Sequence, residues 1–242
     1  MKRFYCPNLE SGELDDDESH HCLDVVRLKE GDNFAVFNGQ GLEWKAQITG
    51  QKNRRVTFKK SAETRTPKPA DSICLAQALT KGKSMDLIIQ KATELGIGEI
   101  APLQSSRSVS QLDDEQAESR AQKWRQLTIE AAKQCGQNWL PTVLPLTTPK
   151  SFVENNLKSA IKLIGSLQPE ARPLKQVLRD AIPATPSPRK IIVMVGPEGD
   201  FTPAEIGEAR ARGFLPISLG RSVLRSETAA IYTLSAIVYE LS

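Results

Sequence analysis

Histidine is scarce in this chain: of 242 residues only two, the adjacent His20 and His21, carry an imidazole. That leaves little material for the spaced ligands of a zinc centre or for a histidine-based catalyst such as a Ser-His-Asp triad. Cysteine is sparse too. Cys6, Cys22, Cys74 and Cys135 are scattered with no CxxC pair, which reads as reduced, partly buried thiols rather than a disulfide framework. No apolar run approaches the ~20 residues that cross a bilayer, and MKRFYCPNLE at the start has no apolar secretory core. The expectation is a cytoplasmic protein with no membrane partner and no metal. Neither GxGxxG nor GxxxxGK[ST] occurs, which argues against a plain Rossmann oxidoreductase.

What is present is ordinary in bulk: 39% hydrophobic and 25% charged residues, enough chain for one large domain or two smaller ones. The net charge of +3 is too small to imply nucleic acid, but its distribution is uneven. QKNRRVTFKKSAETRTPK (Gln51 to Lys68) holds Lys52, Arg54, Arg55, Lys59, Lys60, Arg65 and Lys68 against the single acid Glu63, while acids gather in ELDDDES (Glu13 to Ser19). The basic stripe beside Trp44 and Phe58 is either a surface for phosphates and a stacked base or a solvated strand face.

The first 68 residues read as β: NFAVFNG, LEWKAQITG and RRVTFKK are short, rich in β-branched and aromatic residues, and parted by glycine-containing turns. TPKPADS (Thr66 to Ser72) reads as a linker. Beyond it, strand-like SICLAQALT, EIAPL, PTVLPL, AIKLIGSL, KIIVMVG and PISLG alternate with helix-like SMDLIIQKATELG, residues 114–134, PLKQVLRD, TPAEIGEARARG and ETAAIYTLSAIVYEL. That alternation predicts an α/β domain over 73–242 with a mostly parallel sheet covered on both faces, following a small β domain over 1–68.

Ligands of such sheets sit beyond the carboxyl ends of the strands. Three loops therefore matter: Gly165 to Gln168, Gly196 to Phe201 and Leu219 to Ser226. In GPEGDFTPAE the helix start is already supplied by Thr202 as cap, Pro203 at the first position and Glu205 three residues on. Gly196 and Gly199 are then left to serve either a tight turn or the close approach of a flat heteroaromatic ligand. In SLGRSVLRSETAA, Ser226 and Glu227 suit a helix N-terminus, but Arg221 and Arg225 are cations at the end where the helix dipole disfavours them, which points to an anionic partner.

These loops, with LAQALTKGKSMDLIIQKATELGIGEIAPLQSSRSV (Leu75 to Val109), KWRQLTIEAAKQCG (Lys123 to Gly136) and HHCLDVVRLKEGD (His20 to Asp32), resemble the RsmE family. These are SPOUT-superfamily enzymes that methylate N3 of a uridine in 16S ribosomal RNA of the small subunit. The resemblance spans nearly the whole chain. It implies an N-terminal PUA-like β-barrel that helps hold RNA, a SPOUT α/β domain with a C-terminal trefoil knot, a homodimer, and S-adenosylmethionine as cofactor. Carried onto this sequence, Val195, Gly196, Gly199, Leu219, Gly220, Leu224 and Arg225 would border the cofactor, with Leu167 on a weaker motif. The chain departs from the family at Asp200, where a second glycine is common and the change reads as tolerable at a surface, and at Gln137, where an arginine is usual.

Removing the weakly acidic proton of uracil N3 leaves an anion that a nearby cation stabilises. Arg225, or a basic residue of the partner subunit, is the expected cation, and Glu198 and Glu227 are the carboxylates nearest the chemistry. Arg3, Arg27 and Lys29 are expected to align RNA, Arg107 to bind it, and Lys81 and Lys83 either to meet its phosphates or to form a solvated loop. Two rival classes stand beside this reading: a ribose 2′-O-methyltransferase of the same superfamily, and a non-catalytic RNA-binding protein.

Overall fold

A computed structural model describes residues 1–108, 111–155, 160–184 and 187–242; Val109, the end of one motif above, lies outside them. The chain divides into two compact units, Met1–Lys68 with Ile129–Leu140, and Pro69–Thr128 with Pro141–Ser242.

The smaller unit is a four-stranded sheet, β1 (Arg3–Tyr5), β2 (Asn33–Phe37), β3 (Leu42–Lys52) and β4 (Arg55–Arg65), in that spatial order. The β3–β4 hairpin turns on Asn53 and Arg54, both left-handed at φ 52° and 67°, the backbone a two-residue type I′ turn requires. The acids of ELDDDES form the short helix α1 (Asp16–His20), whose cap Asp15 accepts from Glu18 N. Phe4, Phe34, Phe58, Trp44 and Ile48 fill the core.

The residues that join this unit from afar are held by specific contacts. Asn138 Nδ2 donates to Thr66 Oγ1 (3.0 Å), Trp139 Nε1 to the Thr66 carbonyl (3.0 Å), and Gly41 N to the Asn138 carbonyl (2.8 Å). Gly41 has φ +89°, and a Cβ there would stand 2.6 Å from Thr66 O and 2.7 Å from the Trp139 ring, so only glycine lets these strands close. The sequence pattern had assigned 129–140 to the second domain.

The larger unit begins with β5 (Ser72–Ala78), α2 (Ser84–Glu94), β6 (Glu99–Leu103) and the first part of α3 (Asp114–Cys135). It continues through β7 (Thr142–Val143), α4 (Pro149–Asn155), β8 (Ala160–Gly165), β9 (Arg172–Pro173) and α5 (Leu174–Ala184). β10 (Lys190–Val195), α6 (Pro203–Ala211), β11 (Leu215–Ser218) and α7 (Ser226–Leu241) complete it. The seven strands run in the order β7-β6-β5-β10-β8-β11-β9, every pair parallel.

Alternation along the strands gives each face its own core. Ile73, Leu75, Ile191 and Val193 meet α2, α5 and α7, while Cys74, Ala76, Ile192 and Met194 meet α4 and α6. Both faces are covered, as an all-parallel sheet requires. No helix of the described residues is long and apolar enough to cross a membrane.

One ion cluster anchors the last turns of α3 in the smaller unit. Lys133 Nζ donates to Glu18 Oε1 (2.7 Å) and Glu130 Oε1 (3.0 Å), with Lys133 and Glu18 side chains only 6% and 7% exposed. Removing the lysine strands a buried carboxylate. Lys133→Met should therefore destabilise the protein by about 3–5 kcal/mol in urea denaturation, and Glu18→Gln in the same background should recover much of the loss. A Lys133→Met loss below about 1 kcal/mol would show that solvent already screens the pair.

Candidate functional site

Because every strand of the larger sheet points the same way, the loops after β8, β10 and β11 emerge at one edge. They enclose a cleft of about 310 Å³ lined by Leu167, Val195, Gly196, Glu198, Leu219, Gly220 and Leu224 among others. Its walls mix apolar and polar groups, and two apolar side chains stand unusually exposed at it: Leu167 at 64% and Val223 at 74%.

The turn that forms one wall is fixed by its own polar groups. Asp200 N donates to the Pro197 carbonyl (3.0 Å), and Asp200 Oδ1 accepts from Phe201 N (2.7 Å). Asp200 Oδ2 lies 3.4 Å from Leu167 N, joining the β10 loop to the β8 loop. Asp200 sits at φ +60°, a region where aspartate is better tolerated than most residues. The departure from glycine at this position is thus not a neutral surface change: the side chain lines the cleft and stitches it.

Gly196 serves that same turn. A Cβ there would come 3.0 Å from both Phe201 N and Asp200 Oδ1, so the missing side chain makes room for the loop itself. Gly199 does not line the cleft; its carbonyl accepts from Arg107 Nη1 at 2.8 Å. Gly196 thus serves the turn while also lining the cleft, whereas Gly199 packs against the Arg107 side chain.

Of the expected reacting groups, Glu198 lines the cleft, with Oε1 accepting from Lys81 N at 3.0 Å. Arg225 and Glu227 flank it at the start of α7 without lining it; Arg225 is exposed, and its carbonyl accepts from Ala229 N. Lys81, Lys83 and Arg107 are all exposed in loops of the same unit, and Lys81 and Arg107 hold the GPEG turn through the bonds above.

In the smaller unit Arg27 and Lys29 are exposed, but Arg3 is not available in the way expected. Its guanidinium donates to Asn138 Oδ1 (2.7 Å) and the Gln137 carbonyl (3.1 Å), pairs with Glu43, and lies 4.6 Å over the Phe37 ring. Arg3 is a packing residue, and Gln137 meets it through backbone. Trp44 and Phe58 are 4% and 6% exposed, so neither can stack a base; Lys60 lies over the Trp44 ring instead. Among the described residues no cluster of His, Cys, Asp and Glu could hold a metal ion.

Two family models match the chain: an RNA methyltransferase domain over residues 66–238 and an RNA methyltransferase PUA domain over residues 14–61. The chain belongs to the RsmE family. A ribosomal RNA small subunit methyltransferase E of Bacillus subtilis is 29% identical over 93% of this chain and 88% of its own. A ribosomal RNA small subunit methyltransferase E of Neisseria gonorrhoeae, solved bound to S-adenosyl methionine, superposes with a TM-score of 0.85 at 30% identity, covering 98% of this chain and 96% of that one. A putative methyltransferase of Legionella pneumophila, solved with the same cofactor, gives 0.87 at 32% identity over the same shares.

As an RsmE-family chain it has a PUA-like N-terminal unit and a SPOUT methyltransferase unit. The cleft is braced from the side by Glu205, which sequence showed only as a helix cap. Besides the capping box with Thr202, Glu205 Oε1 accepts from Ser106 N (2.9 Å) and Ser106 Oγ (3.2 Å). Burial pushes this carboxyl up, but the donors from Ser106 and Thr202 outweigh it and hold it below its ordinary value. A depressed carboxyl contributes stability above its unfolded pKa and loses it as pH falls through the folded one.

Glu205→Gln should thus cost about 1–3 kcal/mol at neutral pH by urea denaturation. The gap from the native protein should narrow as pH drops below the ordinary glutamate value of 4.5. A gap independent of pH would show that the loss does not come from the charged carboxylate.

Proposed function

We propose that this chain transfers a methyl group from S-adenosylmethionine to N3 of a uridine in 16S ribosomal RNA of the small subunit. The observation that carries the reading is the cleft at which the three family loops meet. The residues fit the cofactor chemically. Leu167, Leu219, Val223 and Leu224 offer apolar surface to an adenine, and the Glu198 and Asp200 carboxylates suit a ligand bearing cationic sulfonium and ammonium groups. Leu167, Val195, Gly196, Leu219, Gly220 and Leu224 would hold it, with Gly199 and Arg225 just behind. When bound, S-adenosylmethionine supplies an electrophilic methyl carbon for in-line attack.

The chain's own part is to orient the uridine and manage charge. Arg225 faces solvent beside the cleft, where its guanidinium can stabilise negative charge on the uracil carbonyls as the N3 proton departs. Of the two carboxylates, Glu198 lines the cleft and keeps Oε2 for the proton while Oε1 is held by Lys81 N; Glu227 lies further off. Lys81, Lys83 and Arg107 on the larger unit, and Arg27 and Lys29 on the smaller, provide exposed cations for RNA phosphates.

The reading includes a homodimer and a knotted C-terminal segment, as in the family. Support for the dimer comes from the outward face of α7, where Thr228, Tyr232, Ser235 and Tyr239 are exposed without a charge, Tyr239 at 80%.

Purified protein, S-adenosylmethionine and small subunits from a strain lacking the modification should yield N3-methyluridine by nucleoside mass spectrometry. A ribose-methylated product would favour the ribose rival, and no calorimetric binding of S-adenosylmethionine would favour the non-catalytic one. Arg225→Ala should lower turnover about 10²-fold with little change in cofactor affinity; unchanged turnover would remove this arginine from the chemistry. Lys81→Ala with Lys83→Ala should flatten the salt dependence of RNA binding by about two units of log-log slope, and an unchanged slope would place the phosphates elsewhere.

A further inference from the structure

Gln77, the penultimate residue of β5, is fully buried, and no sequence motif gave its side chain a task. Its carboxamide nitrogen donates to Ser226 Oγ (3.0 Å) and the Ala78 carbonyl (2.9 Å), with the Val195 carbonyl at 3.4 Å. Ser226 is buried as well, and its hydroxyl donates to the Gly196 carbonyl at 2.6 Å. The relay Gln77–Ser226–Gly196 therefore ties the end of β5 to the first residue of α7 and to the first residue of the GPEG turn.

Three carbonyl and hydroxyl acceptors around the nitrogen fix which way the carboxamide faces. Its oxygen is left buried with no partner among the described residues. A buried polar atom without a partner is a stability loss that an apolar side chain of similar size would avoid. The position therefore holds a residue whose benefit lies in what it orients rather than in what it adds to the core.

We infer that Gln77 is a positioning residue of the methyl-transfer site, acting through Ser226 on the Gly196 carbonyl and on Arg225. The inference rests on the function proposed above. Ser226 gives its one proton to Gly196, and Gln77 supplies the donor that holds the hydroxyl in that orientation. Arg225 is the residue immediately before Ser226, at the cap of α7, and its carbonyl is tied to Ala229 N. A shift of Ser226 thus passes directly to Arg225 on one side and to the cleft wall at Gly196 on the other. A misplacement of about 1 Å between reacting groups can lower a rate about 10²-fold.

The test compares Gln77→Leu, Ser226→Ala and Ser226→Thr with the native protein. Gln77→Leu should keep or raise the melting temperature, weaken S-adenosylmethionine binding several-fold by calorimetry, and lower turnover at saturating cofactor about tenfold or more. Ser226→Ala should reproduce the functional losses, and Ser226→Thr, which keeps the hydroxyl, should restore most of both. In the ligand-free protein, the amide resonances of Gly196 and Arg225 should move or broaden in Gln77→Leu while those of β6 stay in place.

Native affinity and turnover in Gln77→Leu would overturn the inference. So would a melting temperature lowered by many degrees, or failure to fold, since either makes Gln77 a stabilising core residue. If the native protein itself bound no S-adenosylmethionine, the proposed function would fall, and the ligand-free resonances would still decide the relay: unmoved Gly196 and Arg225 amides would end it.

Discussion

Seven strands running in one direction place every strand-to-helix loop of the larger unit at the same edge of the sheet. That constraint is what makes a site possible here at all. Residues far apart in sequence, Leu167, Gly196 and Leu219, become neighbours because β8, β10 and β11 end side by side or one strand apart. Phe201 and Leu219 tie two of the loops to the cores of the sheet. Hydrogen bonds complete the hold, Asp200 to Leu167 and Ser226 to Gly196 between the loops, and Lys81 to Glu198 and Arg107 to Gly199 from their neighbours.

Charge in this structure is divided between two employments. Arg3, Lys133 and Glu18 lie inside the smaller unit and fasten residues 129–140 to its sheet. Exposed Arg107 and half-buried Glu205 each make a structural bond, so their removal is expected to disturb the loops around the cleft. Arg27, Lys29, Lys83, Arg221 and Arg225 are exposed. The same residue type thus means different things according to whether its donors are already taken, and sequence alone does not reveal which case applies.

Much of the architecture was legible because it rests on local periodicity. Apolar runs of five to seven residues, such as KIIVMV, marked the buried parallel strands, and TPAE marked the start of α6 through a capping box that the structure contains. What was not legible depends on partners distant in sequence. β1 has three residues, too few for a pattern, and exists because it pairs with β2. The Trp139–Thr66 and Asn138–Thr66 bonds span more than seventy positions. At the site, the three loops were identified from glycine, proline and arginine content, but the tight turn at Gly196 shows its cause only in three dimensions, where Phe201 N and Asp200 crowd the place of a side chain. Gln77 passed unnoticed because a lone glutamine in an apolar strand gives no signal until its partners are seen.

The central claim is that the three loops form the methyl-donor pocket. Hydrogen exchange measured by mass spectrometry, with and without S-adenosylmethionine, tests it most directly. Cofactor in that pocket should slow exchange only in peptides covering 165–168, 196–201 and 219–229 and leave the β3–β4 hairpin unchanged. Protection elsewhere with these loops unaffected would contradict it.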